Sequence, residues 1–185
     1  MSRRRTRSIR VRFFVATEGI SDSAFVRWIG FLCEASGNLI HLDIHPLNGG
    51  DPLSLVNEAV KKLKKRQSRI SEMKIAASFL FLDSDRWDST NARCNDAKFK
   101  ADEASLDLVF LCPNLEGVLL RLHRGHEREF PQANDATSRL KTLWPDYEKK
   151  DIIARELQAK FDVDDLKRAV ESDTEIRRFL SAISL

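Results

Sequence analysis

Ile-Ala-Ala-Ser-Phe-Leu-Phe-Leu, residues 75–82, is the most apolar run of the chain, and it stops abruptly at Asp-Ser-Asp, residues 83–85. An unbroken apolar run bounded by polar residues is typical of a strand buried on both faces of a parallel sheet. The aspartates after it predict that this strand runs into an acidic loop. The segment decides the predicted fold because other parts of the chain have the same pattern of an apolar run that ends at polar residues.

Three further segments predict strands of the same kind, at residues 11–16, 39–47 and 106–112. Helical patterns alternate with them: apolar residues recur at three- and four-residue spacing in residues 25–32 and 53–63, and residues 115–123 form a helix closed by Gly125. Ser21 or Asp22 is expected to cap the first helix, and Asp51 the second. Strands alternating with helices predict an α/β fold with a parallel four-stranded sheet flanked by helices.

The last third of the chain has only helical patterns, at residues 152–157, 163–170 and 176–183, with Asp162 and Asp173 as expected caps. We therefore predict a basic flexible arm at 1–10, a catalytic core at 11–130 and a helical C-terminal extension at 131–185 that packs on the core. A chain of 185 residues with 42% hydrophobic content can bury one such core.

Composition excludes several classes of protein. No segment approaches the roughly 20 apolar residues that span a bilayer, and no apolar signal segment follows the basic N-terminus, so a cytoplasmic protein without a membrane partner is expected. Three cysteines without C-x-x-C spacing predict neither a disulfide framework nor a thiolate zinc site.

The net charge is only +3, but the cations are concentrated in two clusters, one in residues 3–12 and one in residues 61–69. Clustered cations suit a polyanion that is held through its phosphates. A solvated arm and a helix end that complements the helix dipole explain the same clusters without any ligand.

Carboxylates end two of the predicted strands: Glu18 follows the first, and Asp83 and Asp85 follow the third. Ligands in parallel sheets bind at the carboxyl ends of the strands, and on a regular strand Asp83 and Asp85 would share a face. Two carboxylates about 4 Å apart repel by ~1 kcal/mol in water and ~4 kcal/mol at an effective dielectric of 20. The cluster therefore predicts Mg²⁺ or Mn²⁺, which supports phosphodiester cleavage. Taken singly, such acids are more often helix caps or solvated turns.

Two smaller features have a structural and a functional interpretation. Gly19 is expected to allow a tight turn that brings the backbone near a phosphate, although a purely structural turn needs the same residue. The pairs His41/His45 and His123/His126 have metal-ligand spacing, but such pairs are more often surface residues.

Phe-Phe-Val-Ala-Thr-Glu-Gly at 13–19 and Phe-Leu-Phe-Leu-Asp-Ser-Asp at 79–85 together resemble the TOPRIM domain of topoisomerases, primases and OLD-type nucleases. Residues 113–123 resemble the N-P-x-F-E-x-W-L-x-x-H block of the small RloB-like proteins, and residues 147–149 resemble their Y-x-K. The resemblance extends over residues 11–158. Leu115, Gly117-Val118 and Ser21-Asp22-Ser23 depart from the pattern of the subfamily.

The resemblance implies a TOPRIM-like, Rossmann-like nuclease with Glu18 as general base or metal ligand and Asp83 and Asp85 as the metal-binding pair. Glu116 would complete the site or hold a second metal, and Lys149 would approach a phosphate. Without the resemblance, Glu116 is a first-turn helix acid and Lys149 a solvated lysine. The implied substrate is DNA or RNA, and the implied role is anti-phage defence, as a homodimer or beside an ATPase.

Two other functions fit parts of the same pattern. An aspartyl nucleophile in a D-x-D after an apolar strand is also found in haloacid-dehalogenase-type phosphatases, although Arg86-Trp87 stands where that family has small residues. A TOPRIM-like module that binds nucleic acid or an ATPase without cutting is the third interpretation. Gathered carboxylates argue against it, because they do not help to bind a polyanion.

Overall fold

The computed structural model describes residues 10–69, 74–149 and 152–185. Its centre is a four-stranded, all-parallel sheet with the strand order β2-β1-β3-β4. The strands are β1 (Val11–Thr17), β2 (Ile40–Pro46), β3 (Ile75–Asp83) and β4 (Asp107–Leu111). The predicted α/β fold with four parallel strands is confirmed. The predicted arm lies outside the described residues except for Arg10.

Helices connect and cover the strands. They are α1 (Ile20–Ala35), α2 (Pro52–Arg69), α3 (Ala92–Glu103), α4 (Leu115–Leu122), α5 (Ala133–Leu143), α6 (Ala154–Lys160), α7 (Val163–Val170) and α8 (Thr174–Ala182). Within the described residues, none of these helices is both long and apolar enough to cross a membrane.

Alternate residues of the central strands enter two different hydrophobic cores. Phe13 and Phe79 belong to the core on one face, with α1, α4 and the C-terminal helices, whereas Phe14 and Leu80 belong to the core on the other face, with α2 and α3. Both faces of a parallel strand must therefore be apolar, which explains why these strands have continuous apolar runs.

The C-terminal helices share the first of these cores with the sheet. The ring of Phe179, on α8, meets the rings of Phe79 and Phe81 edge-on, with centroids 5.0 and 4.9 Å apart. Phe161, which follows α6, packs against Trp28 of α1. The helical extension thus completes the covering of one sheet face.

The ends of the helices show where local sequence decided the structure. Asp51, Asp162 and Asp173 accept hydrogen bonds from backbone N–H groups at the starts of α2, α7 and α8, as predicted. The prediction for α1 is wrong, because Gly19 is its N-cap and Asp22 is the third helical residue, where it accepts the N–H of Gly19 at 2.7 Å.

Helix α3 had no prediction of its own. Its buried face is made of Cys94, Ala97 and Ala101, and these small residues give only a weak apolar period along the sequence. The side chain of Asn91 caps it by accepting the N–H of Arg93. Burial against α2, rather than local pattern, explains why this segment is a helix.

Candidate active site

The candidate site lies at the carboxyl ends of the two central strands, where Glu18 follows β1. The Glu18 N–H donates to the carbonyl of Phe81 on β3 at 3.1 Å, and the Glu18 carbonyl accepts the N–H of Gly49 at 2.8 Å. The residue is therefore held from both sides, by the neighbouring strand and by the loop after β2. This fixes the direction of its side chain toward the end of β3.

The Glu18 carboxylate is buried and contacts the segment that carries the D-x-D sequence. Its Oε2 accepts the backbone N–H of Asp83 at 3.3 Å, and its Oε1 pairs with Arg86 at 3.1 Å. The structure thus brings together two acids that are 65 positions apart. Sequence reasoning did not identify Arg86 as part of the site.

Asp83 is the last residue of β3 and is mostly buried. Its Oδ1 accepts the N–H of Leu115, the first residue of α4, at 3.2 Å. Burial, together with the neighbouring carboxylates of Asp22, Glu18 and Asp85, raises the pKa of Asp83 to about 7. The nearby Lys149 ammonium, 3.9 Å from Oδ2, offsets this shift only in part.

Asp85 occupies a different environment from Asp83. The chain leaves the strand at Asp83 and forms a 3-10 turn over Ser84–Arg86, so the strand alternation expected for the two aspartates is wrong. Asp85 is exposed, and its N–H donates to the carbonyl of Pro113 at 3.0 Å. Its charge still reaches Asp83, which places Asp85 on the solvent rim of the cluster.

Helix α4 delivers the buried Glu116. The side chain of Asn114 caps the helix by accepting the N–H of Gly117 at 3.1 Å. Glu116 Oε2 accepts from Lys149 Nζ at 3.0 Å, and Oε1 accepts from the hydroxyl of the buried Tyr147 at 3.3 Å. Glu116 is therefore a buried, paired acid rather than a solvated one, and Lys149, although half-exposed, is ion-paired with it.

The charges of these groups act on each other. Burial and the Glu116 carboxylate both raise the pKa of the Tyr147 hydroxyl far above its usual range, so Tyr147 stays a neutral donor. Burial alone would lower the pKa of Lys149, but the carboxylates of Glu116 and Asp83 outweigh it and raise that pKa. Lys149 is therefore a permanent cation beside Asp83.

Asp22 is, with Arg86, a residue of this site that sequence reasoning missed. Its Oδ2 accepts the N–H of Gly19, while its Oδ1 is buried and has no hydrogen-bond partner among the described residues. Burial is the main cause that raises the pKa of Asp22 to about 6, and Glu18 and Glu116 add to it. The available signal was the spacing of four residues from Glu18, which brings a first-turn helix residue back over the end of β1.

Two glycines lie in the turns of the site, and a tight turn was predicted to require only the first of them, Gly19. Gly19 has a φ of −132°, which any residue adopts, so no left-handed turn requires glycine there. At Gly117, an added Cβ would lie 2.8 Å from the carbonyl oxygen of Cys112 and closer still to Pro113. The absence of a side chain at Gly117 lets α4 start directly against the end of β4.

Among the described residues, the cluster has fewer cations than acids. Five carboxyl groups, those of Glu18, Asp22, Asp83, Asp85 and Glu116, face the two cationic side chains of Arg86 and Lys149. Across the three described ranges, no group of three or more His, Cys, Asp or Glu side chains is placed so that it could hold a metal ion. The donor chemistry nevertheless fits a hard divalent ion, because all donors are carboxylate oxygens and one buried oxygen of Asp22 lacks a partner.

The basic cluster of α2 is partly used inside the fold. Arg66 makes two hydrogen bonds to Asp43, and Lys62 donates to the carbonyl of Pro46. Lys61, Lys64 and Lys65 are exposed. The N-terminal arginines at residues 3–7 lie outside the described residues.

Comparison with known proteins found no match to the chain among family models, curated proteins or solved structures.

Proposed function

We propose that the protein is a divalent-metal-dependent nuclease that hydrolyses phosphodiester bonds in nucleic acid, with a TOPRIM-like active site of the RloB-like kind. The observation that carries the proposal is the buried and incompletely neutralised pair Asp22 and Asp83, beside Glu18 and Glu116, at the carboxyl ends of β1 and β3. A fold gains no stability from gathering such acids, because burial and mutual repulsion both oppose their ionisation. Such a cluster is therefore best explained by a cation that binds there during function.

Glu18, Asp22 and Asp83 would hold Mg²⁺ or Mn²⁺, with Asp85 at the rim. The ion supplies an activated water and neutralises the charge that develops on the phosphate. In the reaction the water oxygen would form a bond to phosphorus, the bond from phosphorus to the leaving oxygen would break, a carboxylate would take the proton of the water, and the leaving oxygen would take a proton from solvent. Glu18, whose backbone is fixed on both sides, would be that base or a ligand of the ion.

Lys149 has the properties of a phosphate-binding cation. It is half-exposed, it lies between Glu116 and Asp83, and its charge is secured by both. Oriented cations of this kind stabilise the charge of a phosphoryl transition state. Glu116 and Tyr147 then act as positioning residues for Lys149.

The wider setting of the proposal is a cytoplasmic role in defence against phages, as a homodimer or beside an ATPase partner. It rests on the resemblance to RloB-like and OLD-type proteins. The exposed lysines of α2 provide sequence-independent contacts with the phosphates of DNA or RNA.

Cleavage of mixed DNA and RNA by the purified protein tests the proposal, with Mn²⁺, with Mg²⁺ and with EDTA. We expect cleavage that requires the metal and falls at least about 100-fold in Asp83→Asn. The matched control is Asp102→Asn, which changes an exposed acid on α3 and should cleave like the wild type. Cleavage by Asp83→Asn at the wild-type rate, or turnover of p-nitrophenyl phosphate instead of nucleic acid, would overturn the nuclease proposal.

A non-cleaving module that binds nucleic acid is the second candidate, favoured by the ion pairs that Lys149 and Arg86 already make with the acids. In that case the protein would bind nucleic acid without cutting it, and Asp83→Asn would leave the affinity unchanged.

A further inference from the structure

A cavity of about 350 Å³ opens beside the candidate active site, between the ends of β3 and β4 and the start of α8. Its size lies within the range of ~300 to 1,000 Å³ that is usual for small-ligand pockets. Ser84 lines it and is the residue directly after Asp83, and Cys112 lines it and directly precedes the Pro113-Asn114 segment that starts α4. Two residues of the cavity lining thus adjoin, along the chain, segments that build the site.

Aromatic side chains form its walls. Trp87 and Phe110 meet edge to face with ring centroids 4.9 Å apart, and both line the cavity. Phe130 also lines it, although 45% of this side chain is exposed. Large apolar rings that stay open to solvent beside a phosphate-handling site offer planar surfaces on which a flat ligand can stack.

One buried cation fixes the wall residues in place. Arg121 of α4 donates to the Asp173 carboxylate at 2.6 Å and to the Cys112 carbonyl at 2.7 Å. Its guanidinium lies 4.3 Å from the centroid of the Phe130 ring. Helix α4 therefore carries Glu116 in the candidate active site and, five residues later, Arg121, which contacts the residues that line the cavity.

The polar groups of the cavity select against a phosphate. The side chains that line it within the described part of the chain include the acids Asp173 and Glu175 but no lysine or arginine. The charge of Asp173 is matched by the buried Arg121, and Glu175 pairs with Arg178 at 3.0 Å. Both oxygens of Asp173 already accept hydrogen bonds, from Arg121 and from the N–H of Ile176, so Glu175 is the acid that stays partly open as an acceptor. A neutral planar ring whose edge carries an amino or imino donor suits Glu175, whereas an anion does not.

We propose that this cavity binds one unpaired nucleobase of the strand whose phosphate lies at the carboxylate cluster. The inference rests on the proposed nuclease function and deepens it. The substrate would have to be single-stranded, or have a base turned out of its helix, at the position of cleavage. Stacking would come from Trp87, Phe110 and Phe130, and contacts with the base edge from the acceptors near α8.

Binding measured in EDTA, where no strand is cut, tests this directly. Short single-stranded DNA and RNA carrying 2-aminopurine at one central position report stacking by a loss of fluorescence. The same strands with an abasic site at that position give the comparison. We expect the wild type to bind the base-containing strand about 10-fold more tightly than the abasic strand, with quenching on binding.

Phe130→Ala and Trp87→Ala should each remove most of that preference. Phe99→Ala is the matched control, because Phe99 is an aromatic residue on α3 that is 65% exposed and lies outside the cavity. Phe130 is the safer of the two test positions, since its exposed ring contributes less to the core than Trp87. A control that loses the preference as strongly as Phe130→Ala would overturn the assignment.

Other outcomes show whether the base-pocket proposal and the nuclease proposal fail separately. Equal affinity of the wild type for both strands, or no strand binding, overturns the base pocket even if Mn²⁺-dependent cleavage is found. A base preference that Phe130→Ala removes supports the pocket even if no cleavage is found, in which case the nuclease proposal fails alone. Free adenosine that competes at the affinity of the whole strand would point to a nucleoside ligand and overturn the strand proposal.

Discussion

Two aspartates on neighbouring parts of one sheet have opposite surroundings. Asp43 lies in the middle of β2, and Arg66 donates to both of its oxygens, at 2.7 and 2.6 Å. Although burial works to raise it, the hydrogen bonds and charge of Arg66, with the charge of His45, hold the pKa of Asp43 below its usual value. Asp83, at the end of β3, has a pKa raised to about 7 by burial and neighbouring acids.

The difference shows how a structural carboxylate can be told from a functional one without any related protein. The fold supplies Asp43 with a complete partner from α2, so its ionised form stabilises the native state. At Asp83 the fold instead adds further acids, at the end of β1, on α1 and in the turn after β3, and among the described residues supplies only part of the compensating charge. On the function proposed above, this energetically unfavourable grouping is the place where a ligand would complete the structure.

The largest contrast is expected in activity. Asp22→Asn should reduce metal-dependent cleavage about 100-fold, because the amide is neutral and has one oxygen, whereas the carboxylate offers a metal a buried oxygen that has no partner among the described residues. Asp43→Asn should leave the rate per folded molecule within about threefold, since Asp43 serves the fold alone. Initial rates, corrected for the folded fraction by circular dichroism, give the comparison. Equal losses of cleavage rate in the two variants would mean that the hydrogen-bond partners of a carboxylate do not distinguish a catalytic from a structural role.

The same substitutions should have the reverse effect on stability. Asp43→Asn removes the charge opposite Arg66 and should lower the free energy of unfolding by about 1 to 3 kcal/mol, less than for a fully buried pair because Arg66 is partly exposed. Asp83→Asn removes a disfavoured charge but keeps an acceptor for the Leu115 N–H, and should raise that free energy by about 1 kcal/mol at pH 8. Urea unfolding at pH 8 without metal measures both. A loss of stability in Asp83→Asn would contradict the assigned electrostatics.

The dependence of stability on pH gives a smaller effect. Because the pKa values of Asp22 and Asp83 are raised in the folded protein, the native state binds more protons than the unfolded chain between about pH 4 and pH 7. Their contribution to stability is therefore present at low pH and is lost as the pH rises through about 6 and 7. We expect Asp83→Asn to flatten this decline by about 1 kcal/mol, as measured by unfolding at pH 5 and pH 8. An unchanged slope would argue against a raised pKa at Asp83.

Much of the fold could be predicted from the sequence because strands buried on both faces need unbroken apolar runs. The predicted bounds of β1 and β4 are within one residue of the observed ones at each end. The caps at Asp162 and Asp173 were also readable, since capping depends on nearby residues. Helix α3 could not be predicted because its buried face consists of small residues, which give little apolar periodicity.

The site was predictable only in part. Glu18 and Asp83 could be named because they stand at the ends of predicted strands, whereas Glu116 and Lys149 were named only through the resemblance to RloB-like proteins. Whether a side chain turns inward depends on tertiary geometry. The 3-10 turn after β3 sends Asp85 to the surface. Asp22 was interpreted as a cap, and the pairing of Arg121 with Asp173 joins residues 52 positions apart, which no local pattern reveals.

The central claim is that the carboxylate cluster requires a cation from outside the chain, and titration calorimetry with Mn²⁺ at pH 8 tests it most directly. We predict saturable binding to the wild type and to Asp43→Asn, and at least about a 10-fold weaker affinity in Asp83→Asn. No binding to the wild type, or equal affinity in Asp83→Asn, would contradict the account.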